Sequence, residues 1–338
     1  MMQFRMALMY GAAALSGAFS GLLAAGIAEM DGVGGYEGWR WIFLLEGIAT
    51  VLGGIVTFFI LPDSPETSTR WLSEREAKFL TLTYTQYRGG GKNRAEDKTT
   101  TKSSKFGMLI DMFKDWQLYL QAMIFMSSSV PTYALKFTLP QIIRNMGFTN
   151  TQAQLLTAPP YILGAISAVV AAIFADRLSW RWPFIVTPQL MLAVCYSVLF
   201  VYSRDIANNI ALCYTFVCLS TTSTYPIVPG GNTWTANNLA PQTKRALGIA
   251  FMVAMGNIGG IIGSFIFQAK ESPAYPSGWG TCIGFVVAGA ACATILEVAY
   301  LTINKKRAKL SEEQIREKYS DDELDKMGNN SPLFKYAL

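Results

Sequence analysis

Long apolar runs separated by short polar breaks dominate the chain, and their length sorts them. A helix that crosses a membrane needs about 20 predominantly apolar residues. That rule selects eight stretches, at 6–28, 40–61, 116–135, 152–175, 182–202, 207–230, 246–268 and 279–303. The pattern predicts an all-α polytopic membrane bundle. Two sizeable polar segments interrupt it, 62–115 and 304–338. The first stops the second span with Pro62 and Pro65, then places Ser73 and Glu76 at capping-box spacing ahead of a short amphipathic helix bearing Phe79, Leu80 and Leu82. The stretch RGGGKNRAEDKTTTKSSK that follows reads as a flexible basic linker. The tail repeats the device, with Ser311 and Gln314 opening a charged helix. Both segments read as solvated connectors with no chemistry of their own.

Composition strengthens the membrane reading. Of the 338 residues 51% are apolar or aromatic and only 15% are charged, against about 25% charged in a soluble globular protein. Met6 to Ile27 is too long for a signal-peptide core and lacks a clean cleavage pattern, so it is taken as a mature span. The absence of histidine excludes Ser-His-Asp triads, His metal sites and imidazole proton relays. The five cysteines lie in apolar stretches without zinc spacing, which predicts buried free thiols and no metal. No cofactor motif is present.

The net charge of +5 reflects topology. Placing residues 1–5, 62–115, 176–181, 236–245 and 304–338 on one side puts 23 of the 28 Lys and Arg residues there and five on the other. The positive-inside rule makes the richer side cytosolic, so both termini are expected in the cytosol. The basic residues form no face with interleaved aromatics, which argues against a nucleic-acid partner.

Several motifs carry a family resemblance. GWRWIFLLEG at 38–47 and FFILPDSPE at 58–66 resemble the sixth helix and central loop of the allantoate permease-like anion:cation symporters, a fungal-type group of the major facilitator superfamily. FTLPQIIRNMGFT, AQLLTAPPY, WTANNLAPQTKRALGIA, GNIGGIIGSFIF and SPAYPSGW follow in the order that group uses from its seventh helix to its twelfth. The resemblance implies a major facilitator fold in which the eight spans equal helices five to twelve and the first four are absent. It divides the chain into a remnant of the first half (1–61), a cytoplasmic loop (62–115), a six-helix second half (116–303) and a cytoplasmic tail (304–338). It also implies a monomeric secondary transporter in the plasma membrane, coupling a small organic anion (a carboxylate, vitamin or nitrogen compound) to protons by alternating access.

That frame gives particular residues a role. Tyr133, Tyr161, Tyr225 and Asn232 fall on helices that line the central cavity in the superfamily, and Asn257 sits mid-span between glycines. Each reads either as a ligand contact or as a helix-packing polar group. Lys136 is the best attractant for an anion in this half, or else a lysine snorkelling to the interface. Glu46, inside the second span, is either a proton site or a structural partner. The turn AAIFADRLSWR keeps Asp176, Arg177 and Arg181 of the superfamily's cytoplasmic signature, which implies a gating latch; for Arg181, topogenic charge is the alternative. Glu297 and Gln268 read as structural and ligand-bonding candidates in turn. Glycine pairs four apart, Gly17/Gly21, Gly256/Gly260, Gly259/Gly263 and Gly280/Gly284, predict close helix approach.

A membrane-embedded enzyme would need a cluster of nucleophiles or carboxylates at one depth, and the sequence has none. The remaining alternative is a truncated, non-transporting product. The missing helices lead to the expectation that these residues alone insert without net uptake, leaving Asn257 and Tyr161 facing lipid.

Overall fold

The computed structural model describes residues 2–61, 72–88, 110, 112–320, 323–324 and 327–338. Pro62, Pro65 and the basic linker beyond Arg88 lie outside them. The described chain is helical: α1 (Met2–Ala28), α2 (Gly38–Ile60), α3 (Glu74–Arg88), α4 (Trp116–Asn145), α5 (Asn150–Leu155), α6 (Ala158–Leu178), α7 (Trp182–Tyr202), α8 (Ile210–Asn238), α9 (Gln242–Ile266), α10 (Pro276–Arg307) and α11 (Glu312–Lys318). Two compact units divide it, residues 1–22 with 111–338, and residues 23–110.

In the first unit α4 is the hub and packs against α8, α9 and α10; α8 also packs on α6 and α7, and α7 on α10. Trp234, Trp279, Tyr196 and Tyr300 fill the interior. Among the described residues seven helical segments are long and apolar enough to cross a membrane. α4 is outside that set although its 30 residues measure about 45 Å. Gln117, Gln121 and Ser127 to Ser129 lower its hydropathy, and the bundle buries all five. It is an interior helix whose polar groups face protein.

The predicted boundaries need three adjustments. α4 continues past 135 through Lys136 and Pro140 to Asn145, and α8 continues past 230 to Asn238. Apolarity marks only the band expected in hydrocarbon, while the helix itself runs on into polar sequence. The span expected at 152–175 is two helices, because Pro159 and Pro160 open a new first turn where a proline's missing N–H costs nothing. α7 matches the expected 182–202.

Glycine spacing alone did not identify contacts. Gly17 and Gly21 face Tyr161, Gln154 and Thr157, and Gly256, Gly259, Gly260 and Gly263 face α4. Gly280 and Gly284 are a correction: only the Phe200 ring, at 4.0 Å, comes near the first, and nothing lies within 4 Å of the second. Proximity in sequence put them on one stripe, but no helix backbone approaches that stripe.

In the second unit, Gly32, Gly34 and Gly35 take positive φ in the turn before α2, a backbone that L side chains rarely adopt. The turn lets the Trp41 indole donate to the Val33 carbonyl (3.1 Å) and Asp31 accept from the Gly38 amide (2.7 Å). The GWRWIFLLEG start is thereby fixed locally. The capping box at α3 is present: Ser73 N–H and Oγ–H both donate to Glu76, at 3.0 and 2.7 Å. Those two bonds hold the Glu76 carboxyl below its usual range. The Ser311 and Gln314 box opens α11 as expected.

Candidate functional site

The glycine stripe of α9 creates the first polar group. At Gly263 a Cβ would stand 2.5 Å from the Val130 carbonyl oxygen, so only glycine lets the two backbones meet. At Gly260 it would stand 3.0 Å from the Tyr133 ring. Seated there, the Tyr133 hydroxyl donates to Asn257 Oδ1 at 3.3 Å, while Asn257 Nδ2 donates to the Val253 carbonyl. Lys136, one turn along α4, holds its ammonium 5.8 Å from the centre of the Tyr133 ring. Lys136 and Asn257 are exposed and Tyr133 partly so. Lys136 lies about 30 Å along α4 from Trp116. A cation and a phenol within reach of one another are the elements of an anion site.

The other predicted contacts form a separate group, in which Tyr161 and Asn232 meet α1 and Tyr225 meets α6. Tyr161 packs on Gly17 and is 7% exposed. The expectation that Tyr161 faces lipid is therefore corrected: the small residues of α1 cover it. Tyr225 fills the hollow at Gly164 and meets Tyr161 edge-on with centroids 6.5 Å apart. Asn232 donates to the Tyr10 hydroxyl at 2.9 Å. Tyr10 was missed by the sequence reading, since one tyrosine in an apolar run carries no signal of its partner. The buried Tyr225 hydroxyl and Asn232 Oδ1 have no hydrogen-bond partner, and polar groups left so are costly.

At the opposite end of α6, Asp176 accepts from the amides of Gln3 (3.4 Å) and Phe4 (3.0 Å). These first-turn amides of α1 have no partner inside their own helix. Arg181 brings Nη2 to 4.0 Å from Asp176, with both side chains largely buried. Burial pushes the Arg181 guanidinium down from its usual value, and Asp176 opposes that shift. Arg177 is exposed. The signature turn thus joins α6, the α6–α7 connection and α1 through Asp176 and Arg181.

Glu46 lies exposed on α2, and its backbone carbonyl accepts from the Thr50 hydroxyl. Gln268 is exposed just beyond α9. Glu297 is buried and accepts from the Trp180 indole at 2.8 Å, which fits a structural role. The free cysteines are all buried or half-buried, and no metal-holding cluster occurs among the described residues.

The Major Facilitator Superfamily pattern matches residues 2–264 and, in a second registration, 118–335. The MFS-type transporter cnsO of Penicillium expansum is 33% identical over 99% of this chain and 64% of its own length. An uncharacterized transporter of Schizosaccharomyces pombe is 32% identical over 81% of this chain and 52% of its own. The high-affinity nicotinic acid transporter of Saccharomyces cerevisiae is 27% identical over 98% and 59%. The chain thus spans between about half and two thirds of the length of these relatives. A helical chain with seven membrane-capable segments among its described residues, matched along nearly its whole length, is a member of the Major Facilitator Superfamily of integral membrane transporters.

Proposed function

We propose that the protein carries a small organic anion, coupled to protons, by alternating access, within the allantoate permease-like group of the superfamily. The spans then correspond to helices five to twelve, with 1–61 belonging to one half, 116–303 forming the other, 62–115 joining them and 304–338 a tail. A nicotinic acid transporter among the relatives supports a carboxylate or vitamin cargo. The observation that carries the proposal is the Lys136, Tyr133 and Asn257 group: an exposed cation next to a phenol that bonds an amide across the α4–α9 seam. Tyr161, Tyr225 and Asn232 extend a polar path toward α1, and Glu46 stands as a coupling or structural carboxylate. Asp176, Arg177 and Arg181 serve the gate.

Exchanging Lys136→Gln in the full-length protein tests this reading. Losing a contact of about 1.5 kcal/mol to a charged group raises the apparent KM for an anionic substrate about tenfold, with surface expression unchanged. Unaltered uptake kinetics would assign Lys136 to interfacial snorkelling instead.

The orientation, with both termini cytosolic at the plasma membrane, has its own check. Lys309→Cys lies at an exposed position beyond α10. It should resist a membrane-impermeant maleimide in intact cells and react after permeabilisation. Labelling in intact cells would reverse the topology.

A further inference from the structure

Where α8 and α10 end and α4 begins, the tail turns back into the bundle. Asn238, at the end of α8, accepts from the Ala337 amide at 2.7 Å and donates to the Ala337 carbonyl at 3.0 Å. Asn304, near the end of α10, does the same for Tyr336, accepting from its amide at 3.0 Å and donating to its carbonyl at 2.9 Å. A side-chain amide carries one acceptor and a donor group, as a peptide unit does. Two asparagines on two helices therefore read the backbones of two consecutive residues, and the Trp234 indole adds a second bond to the Ala337 carbonyl at 2.8 Å.

The side chain of Tyr336 has a matching socket. Its ring stacks on Tyr300 at 4.5 Å and 8° between planes, with Arg307 on the ring at 5.0 Å. Gln117 of α4 donates to its hydroxyl, which itself donates to the Asn329 carbonyl. Tyr336 is 2% exposed, whereas its neighbour Lys335 points outward. Hydrogen bonds to the main chain together with a pocket for a side chain are the elements by which a groove recognises an extended peptide.

The same segment reaches the gate. The Arg181 amide donates to the Leu338 carbonyl at 2.8 Å, and the Arg181 side chain faces the Asp176 carboxylate that holds the first amides of α1. We infer that this end of the bundle is a peptide-binding groove whose ligand is the chain's own segment 334–338, and that docking of this strap holds the Arg181–Asp176 grip on α1. The inference does not depend on which solute is carried.

Hydrogen exchange on the full-length protein in lipid nanodiscs tests docking, and thiol reactivity of Gln3→Cys tests the link to α1. Gln3 is 1% exposed, and its bonded partner is Asp176, not the strap. In the parent, amides 336 and 337 should exchange at least tenfold more slowly than free chain. Tyr336→Ala should abolish that protection at both amides and Ala337→Pro at amide 336, the one it retains, and each should raise the maleimide reactivity of Gln3→Cys at least fivefold. Should Tyr336→Ala fail to accumulate, Ala337→Pro, which removes the N–H given to Asn238 and restrains the backbone at Tyr336, carries the comparison, read at amide 336. Free-chain exchange of 336 and 337 in the parent would overturn the groove. Release of the strap with Gln3→Cys reactivity unchanged would overturn the coupling.

Discussion

Gly263→Ala is expected to be among the most damaging single-methyl additions in the chain. The new Cβ would lie 2.5 Å from the Val130 carbonyl oxygen and 3.1 Å from the Ala134 amide nitrogen. Both are backbone atoms of α4, so no rotamer change relieves the clash and α9 must move as a whole. Overpacking of this kind costs about 1–3 kcal/mol. The movement also separates Tyr133 from Asn257, which requires the close seam. Gly256→Ala meets the Phe125 ring, a side chain that can swing, so its cost should be smaller. Gly284→Ala meets nothing within 4 Å and should be neutral. Thermal melting in detergent, read by fluorescent size-exclusion, should rank Gly263→Ala below Gly256→Ala and Gly256→Ala below Gly284→Ala. Equal melting of the three would show that the α4–α9 seam is not tight.

Asp176→Ala should be comparably severe for a different reason. It deprives the first amides of α1 of their acceptor, a cap worth about 1 kcal/mol. It also leaves Arg181, whose side chain is 11% exposed, facing a site without its carboxylate. Removing one member of a buried pair costs several kcal/mol because the other charge remains unneutralised. Arg177→Ala, at an exposed position one residue on, should change stability by less than about 0.5 kcal/mol. The pair of variants tests the capping geometry: a large drop in melting temperature is expected for Asp176→Ala alone, and equally small changes for both would show that Asp176 does not hold the start of α1.

How far the sequence carried the fold depends on the kind of information it holds. Length and apolarity located α7 to the residue, because Trp182 to Tyr202 is uncharged, predominantly apolar and bounded by polar turns. The same measure shortened α4 and α8, whose ends are polar yet continue to hydrogen-bond as helix. Four-residue glycine spacing could not distinguish Gly259/Gly263, which meet α4, from Gly280/Gly284, which meet no backbone. Spacing describes one helix, whereas a seam belongs to two.

The candidate site was legible as residue types and less so as a group. Tyr133, Lys136 and Asn257 come together, while Tyr161 and Asn232 settle against α1 and Tyr225 against α6. The pairing of Asn232 with Tyr10 spans 222 residues of sequence, and that of Asn238 with Ala337 spans 99. Such long-range bonds leave no periodicity. From sequence alone the tail is indistinguishable from a plain connector, although Tyr336 is among the buried residues of the bundle.

Uptake of matched radiolabelled carboxylates and their neutral amides, by cells expressing the full-length protein with and without a protonophore, tests the proposed activity most directly. A carrier that recognises an anion through Lys136 and Tyr133 should accumulate carboxylates, exclude the amides and lose accumulation when the proton gradient collapses. Equal uptake of acids and amides, or accumulation indifferent to the protonophore, would contradict it.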